Sequence, residues 1–447
     1  MAWTYSLAEL AAAIEGKPVA ETASFSSIST DTRTLQPGDV FFALTGANFD
    51  ANAFVGEAFT KGASAAVVSR AHDAGPCLVV GDPLRALQRF AAWHRARFSL
   101  PVLAVTGSCG KTTAKDLIAE LLASRFSVAK TPGNLNNDIG VPLSLMEIDA
   151  GSGFAVIEMG ANHQGEIAAL CSMARPTEAA ITMIAPAHLE GFGSIENIAT
   201  AKAEILRGLG PSGVFYVNTD DPRCVALAET FAGECVRFGQ SGDVTLQRRE
   251  FLPSGDTLLA LDPVGPLTLP LPCPAHVTNV LLAVAVGLRH GATEFEGPLR
   301  KALASATRFQ VLRIGPWVVL DDSYNANPAS MDAALEALAL RAGPGLRVAA
   351  LGDMLELGEA SRTLHRELGR SAAAAGVQHL FVRGEFADDV VAAALAEGCP
   401  HACAIESHAD IAAAVHALGP EGGTLLVKGS RSMRMERVFE SLQALYD

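Results

Sequence analysis

The sequence predicts an α/β protein of three domains built on parallel sheets, and three observations carry that expectation. Short β-branched runs alternate with longer Ala-rich helical runs from about residue 100 to the end, the rhythm of βαβ units. Polar, Gly-rich segments follow many of those short runs, at 107–113, 159–165, 321–328, 352–358 and 428–431. Open parallel sheets bind ligands at that edge. The chain has 447 residues, enough for about three domains of ~150 residues each.

Taken in order, the first 17 residues read as a helix, because Glu9 and Glu15 replace the basic start of a signal peptide. Strands are predicted over 26–33, 39–44 and 65–69, around the turns Pro37-Gly38-Asp39 and Thr45-Gly46. Ser99-Leu100-Pro101 marks a boundary, and a second falls between Arg308 and Trp317, giving domains 1–98, 99–310 and 311–447. Beyond the first boundary, continuous apolar runs predict strands buried on both faces at 102–106, 154–158, 180–184, 214–218, 317–321, 347–352, 379–382 and 424–428. Residues 241–272, rich in Pro and Gly with short alternating runs, predict a small β excursion.

Composition limits the function. With 49% apolar and 18% charged residues the chain is globular, and 6% aromatics argue against base-stacking platforms. A net charge of −14 argues against a nucleic-acid partner, although local cations and helix N-termini can still hold an anionic substrate. The longest apolar stretch, near 277–288, ends at Arg289, short of the ~20 residues of a membrane span. No membrane insertion is expected. Eight scattered cysteines read as free thiols in a reducing cytoplasm. Cys399-x-x-x-Cys403 encloses His401 but has no second Cys pair at zinc spacing.

The strongest motif is Gly107-Ser108-Cys109-Gly110-Lys111-Thr112-Thr113, between an apolar strand and a helical pattern, the context a phosphate loop needs. Gly107 and Gly110 let backbone N–H groups curl around phosphate oxygens, Lys111 supplies a point charge, and Thr112 offers a hydroxyl to Mg2+. The usual pattern would place Gly at 105, where this chain has Val. Glu158, closing the next apolar strand, could reach the same Mg2+. His188, after the 180–184 run, reads equally as a structural residue or a ligand. Lys202, read by spacing alone, is a solvated lysine on a helix. No Asn-Lys-x-Asp or Gly-x-Gly-x-x-Gly pattern is present, which disfavours a switch GTPase and nicotinamide chemistry.

The loop resembles the ATP loop of the Mur ligases, and further segments match in order along essentially the whole chain. They are Thr30-Asp-Thr-Arg33, Pro37-Gly-Asp-Val-Phe-Phe-Ala-Leu44, Thr131-Pro-Gly-Asn-Leu-Asn-Asn137, Glu158-Met-Gly-Ala-Asn-His163, Ala187-His-Leu-Glu-Gly191, Asp321-Asp-Ser-Tyr-Asn-Ala-Asn327, Leu351-Gly-Asp-Met-Leu-Glu-Leu-Gly358 and Val427-Lys-Gly-Ser-Arg431. The resemblance implies a small N-terminal α/β substrate domain, a central P-loop parallel-sheet ATPase domain and a C-terminal Rossmann-like α/β domain. It implies a monomeric bacterial cytoplasmic ligase of peptidoglycan precursor synthesis. The implied reaction joins D-Ala-D-Ala to UDP-MurNAc-tripeptide through an acyl phosphate, and the resemblance implies ATP and two Mg2+ ions as cofactors.

By the same resemblance, residues 107–113, Asn279, Arg308 and Asp322 bind ATP, while Thr112, Glu158, His188 and a carbamylated Lys202 attend Mg2+. Lys111, Lys202, His188 and Glu158 are the catalytic set. Thr30, Asp31 and Arg33 meet the UDP end, Asn134, Asn136 and Asn137 the muramyl end, and Asn325, Lys428, Ser430 and Arg431 the dipeptide or phosphate. Turn-making remains a fair role for two of the three Asn. One departure stands out: the family's Gly-Arg-His-Asn is replaced by Cys273-Pro-Ala-His276, so His276 or Asn279 would take the adenine contact. A sister amino-acid ligase of the Mur or folylpolyglutamate type, and a nucleotide-binding scaffold without catalysis, are the competing readings.

Overall fold

The computed structural model describes residues 3–16, 23–46, 49–306 and 308–447. Three mainly parallel sheets follow one another along the chain. The first has four strands in the order Ile28–Ser29, Val40–Phe42, Ala65–Val68 and Cys77–Val79. All three predicted strands are shorter than expected, the 65–69 run by its last residue only. The 26–33 run leaves the ladder after Ser29 because Asp31 makes a turn, its carbonyl accepting from Thr34 and Leu35 and its carboxylate from the Arg33 N–H. The 39–44 run keeps only Val40–Phe42. The predicted N-terminal helix is Leu7–Ala13, capped reciprocally by Ser6 and Glu9; Met1, Ala2 and Lys17 lie outside the described residues.

Helix Pro83–Arg95 links the first sheet to the second. Asp82 caps it by accepting from Leu84 and Arg85, with Pro83 at the first helical position. Phe90 and Ala91 of this helix share one apolar core with Val40 and Phe42 behind them and Val102, Ala104 and Ile157 ahead. His94 and Arg95 are buried, and Arg95 Nε donates to Ala174 O at 2.9 Å.

The central sheet has nine strands, ordered Val128–Lys130, Phe154–Glu158, Val102–Thr106, Glu178–Ile181, Val214–Asn218, Glu234–Gly239, Val244–Phe251, Thr257–Asp262 and Gly265–Leu269. The first seven pair in parallel and the last two antiparallel, so the predicted excursion over 241–272 is a hairpin extension of this sheet. Val102–Thr106 lies at the point where the strand order reverses, where a ligand crevice opens in such sheets. Helices Lys111–Leu122 and His276–Arg289 cover one face.

One predicted strand shifts: 180–184 is Glu178–Ile181. Beyond Ile181 the ladder gives way to bonds between loops. Thr182 hydroxyl reaches Cys109 O, Met183 O accepts from Ser108 N at 2.8 Å, and Ile184 N donates to Asp221 Oδ2 at 2.6 Å.

The third sheet has six strands, Gln310–Ile314, Trp317–Asp322, Thr424–Lys428, Arg347–Gly352, His379–Arg383 and His401–Ala404, all parallel except the first. It carries a core on each face. All eight cysteines are free thiols. Among the described residues no helix is long and apolar enough to cross a membrane.

Candidate active site

A cavity of about 930 Å3 is lined by loops from both larger sheets. The phosphate loop forms its floor. Gly107 adopts φ +149°, and a Cβ there would stand 1.9 Å from Thr182 Oγ1. Gly110 adopts φ +81°, and its Cβ would stand 2.5 Å from Asn279 Oδ1. Both positions therefore require glycine. Ser108 is occupied in holding the loop, donating to Ala185 O at 2.7 Å and accepting from Ala185 N. Lys111 starts the following helix and folds back to donate to Gly107 O at 2.8 Å. Thr112 and Thr113 also line the cavity.

Glu158 ends its strand beside that helix, 1% exposed. Its Oε1 accepts from Thr112 Oγ1 at 3.2 Å and from Asn136 Nδ2 at 2.7 Å. Its Oε2 is buried with no hydrogen-bond partner. A buried carboxylate oxygen without a hydrogen bond is costly even with the Lys115 ammonium 3.9 Å away, and a hydroxyl, an amide and such a carboxylate oxygen suit a hard divalent cation that keeps water and phosphate ligands. No cluster of three His, Cys, Asp or Glu forms a closed metal cage among the described residues.

Lys202 is not on a solvated face. It is 4% exposed, lines the cavity, and makes no hydrogen bond or ion pair among the described residues. Burial, aided by the Lys111 cation, pushes its ammonium down to about 7. Ile198, Ala201 and Ile205 make an apolar helical stripe that includes position 202, and that stripe was the signal available in the sequence. His188 lines the cavity and pairs through Nδ1 with Glu356 of the third sheet's 353–358 loop; burial holds its pKa down against that pairing.

The third sheet contributes Asp322, Asn325 and Lys428. Lys428 bonds the Asp322 carboxylate and donates to Asn325 O at 2.8 Å, while burial raises the Asp322 pKa. Arg308 stacks on the Tyr324 ring, and Asn134 Nδ2 donates to Tyr324 OH at 2.7 Å. Asn134, Asn136, Asn137 and Asn279 all line the cavity. Cys109 Sγ lies 3.1 Å from Asn327 Nδ2, so the phosphate loop touches the cap of helix Pro328–Ala342. His276 also lines it, with Nδ1 buried and unpartnered and its pKa pushed by burial to about 4.

Five predicted residues stand apart. Thr30, Asp31 and Arg33 lie on the first sheet's turn, where Arg33 is paired with Asp31 and 86% exposed. Ser430 Oγ accepts from Leu355 N at 2.9 Å, and Arg431 pairs with Glu436 at 3.0 Å; neither lines the cavity. Sequence reasoning did not single out Tyr324, Glu356 or Lys115, whose partners are distant in the chain.

Family models for the Mur ligase middle domain and for the Mur ligase, glutamate ligase domain match residues 105–287 and 307–431. The chain is 36% identical to the UDP-N-acetylmuramoyl-tripeptide–D-alanyl-D-alanine ligase of Escherichia coli strain K12, over 98% of each protein. It superposes on the crystal structure of MurF from Acinetobacter baumannii with TM-score 0.89 at 34% identity, over 99% of each chain. On the MurF ligase of Thermotoga maritima in complex with ADP the TM-score is 0.82 at 30% identity, over 94% of this chain and 97% of that one. The chain belongs to the Mur ligase family, in its UDP-N-acetylmuramoyl-tripeptide–D-alanyl-D-alanine ligase branch.

Proposed function

We propose that this chain joins D-Ala-D-Ala to the terminal carboxylate of UDP-MurNAc-tripeptide, converting ATP to ADP and phosphate. The observation that carries the reading is the single cavity in which the phosphate loop faces Asp322, Asn325 and Lys428 of another sheet. Such a site can hold a nucleotide and a second substrate together.

The chemistry follows from what each group must do. A carboxylate does not react with an amine near pH 7, because its oxygen is a poor leaving group. The carboxylate oxygen attacks the γ-phosphorus, the bond to the β-phosphate oxygen breaks, and ADP leaves. The dipeptide amine, having lost its proton, then attacks the acyl carbon. The carbon–oxygen bond to phosphate breaks, and phosphate leaves carrying a substrate oxygen. Two anions must meet in the first step, so fixed positive charge and rigid placement supply most of the rate. Lys111 supplies that charge at the loop, with the N-terminus of its helix behind it. Arg308 and Lys428 bring cations from the opposite wall, and Asp322 with Asn279 meets the nucleoside.

Thr112, Glu158, His188 and Lys202 would hold two Mg2+ ions, which supply neutralisation of phosphate charge when bound. A Lys202 amine pushed down to about 7 is substantially neutral under working conditions. It can add to CO2, forming a carbamate with loss of a proton and so providing an extra carboxylate. Thr30, Asp31 and Arg33 take the UDP end, and Asn134, Asn136 and Asn137 the muramyl end. Ser430 and Arg431 reach the dipeptide on rearrangement of their loop. A first domain limit at 98/99, a second moved from 310/311 to just before Gln310, where the third sheet's first strand begins, a monomeric state, a bacterial cytoplasmic location and the lack of a nucleic-acid partner complete the reading.

The test is ADP release measured with each substrate withheld in turn. Release is expected only when the tripeptide nucleotide and D-Ala-D-Ala are both present. Turnover with a single amino acid in place of the dipeptide overturns the reading in favour of a sister ligase.

A further inference from the structure

Lys115 lies one turn beyond Lys111 on the phosphate-loop helix and is 1% exposed. Its ammonium donates to Thr131 O at 2.9 Å and Gly133 O at 2.8 Å. It lies 3.6 Å from Asp116 Oδ1 and 3.9 Å from Glu158 Oε2. Burying an ammonium is costly, and an apolar side chain would fill the same volume without that cost.

What the lysine holds is a loop with several hands on the site. Thr131 Oγ1 accepts from the Glu158 backbone N–H at 2.9 Å. Asn136 Nδ2 donates to Glu158 Oε1 at 2.7 Å, and Gly160 N donates to Asn136 O at 2.8 Å. Asn134 reaches Tyr324 across the cavity. The lysine spends its short hydrogen bonds on the two carbonyls. It compensates the carboxylate's charge from a distance while Glu158 Oε2 stays unbonded.

We propose that Lys115 is a positioning residue that pins residues 131–137 to the phosphate-loop helix. It thereby fixes the Glu158 carboxylate and the Asn136 amide in the geometry a nucleotide-bound divalent cation requires. The inference rests on the metal role assigned above to Glu158.

The experiment compares the wild type, Lys115→Met and Leu121→Ala. Leu121 is buried in the same helix, away from the cavity, and serves as the control for a merely structural loss. Two quantities are read: hydrogen exchange of the 131–137 amides, and Mn2+ binding by electron paramagnetic resonance with a non-hydrolysable ATP analogue bound. Lys115→Met is expected to speed exchange in the loop and to weaken Mn2+ binding by about tenfold or more, the effect of losing an outer-shell partner. Leu121→Ala is expected to lower the melting temperature and leave both readouts alone. Wild-type exchange and Mn2+ binding in Lys115→Met overturn the proposal.

Should Lys115→Met fail to fold, Lys115→Arg decides. Its planar fork cannot reproduce the two carbonyl bonds of a compact ammonium, so Mn2+ binding about threefold weaker supports the pin and unchanged binding overturns it. Should the wild type not bind Mn2+ with the analogue, the metal role of Glu158 fails. The exchange readout then decides the pin alone.

Discussion

At the scale of single residues, the site separates groups that react from groups that shape. In the function proposed above, Lys111 belongs to the first kind. It starts the helix after the phosphate loop, lines the cavity and donates to Gly107 O. Lys111→Ala is expected to lower turnover by about 10²–10³-fold, the usual loss when one fixed electrostatic donor is removed. The fold should be retained, because the side chain is only part-buried and makes one hydrogen bond. Steady-state kinetics with circular dichroism checks this, and unaltered turnover would favour a nucleotide-binding scaffold over an enzyme. Lys111 was legible because its motif is local: strand, loop and helix follow one another between Val102 and Leu122. Tyr324 and Glu356 were not, although both lie in segments resembling the family. Each acquires its role from a tertiary partner, Arg308 and Asn134 for one and His188 for the other.

Elements were legible in proportion to how deeply they are buried on both faces. The runs 102–106, 154–158, 214–218 and 424–428 are continuous apolar stretches and emerge as strands with those bounds. Cys77–Val79, Val128–Lys130 and His401–Ala404 escaped notice because they are short, partly exposed edge or near-edge strands whose pairing is dictated by neighbours. Helix Pro83–Arg95 teaches a similar lesson. Its His94 is sealed between the first two domains, with Nε2 donating to Ile148 O at 2.8 Å and Nδ1 accepting from Tyr5 OH at 2.9 Å. That pair of bonds fixes the neutral ring, and burial pushes its pKa down to about 4. The unfolded chain, with a histidine near pKa 6.5, binds the proton first as pH falls. The contribution to stability is therefore whole above about pH 6.5, declines as pH drops from there to about 4, and amounts to roughly 3 kcal/mol. A His94→Gln variant is expected to be less stable at pH 7.5 and to lose less stability than the wild type between pH 7 and 4.5. Parallel losses in denaturant titrations at the two pH values would remove His94 from the account.

At the scale of the molecule, the cavity exists only because two sheets meet, and the contacts that bring them together are mixed: Cys273 and Leu189 pack against the third sheet's core, Arg341 donates to Leu271 O and Pro272 O, and polar pairs do the rest. Cys109 with Asn327, Asn134 with Tyr324, His188 with Glu356, Glu190 N with Glu356 O at 2.9 Å, and Arg249 with Glu336 at 3.1 Å span the gap. Relative motion is the ordinary expectation for domains joined without one large shared apolar core. The ends of the cavity also hold like charges. Lys111 and Lys202 face one another on one side, and Arg308 and Lys428 stand on the other. A polyphosphate bound between the walls would give the cations of both an anion in common. Small-angle scattering is therefore expected to show the radius of gyration falling when a non-hydrolysable ATP analogue and the tripeptide nucleotide are added together, and falling less with either alone. The analogue should lose much of its effect on Lys428→Ala, which removes a cation from the far wall and its bonds to Asp322 and Asn325. A radius that stays constant through both additions would mean that the two sheets are already locked, and that substrates enter a preformed chamber without closing it.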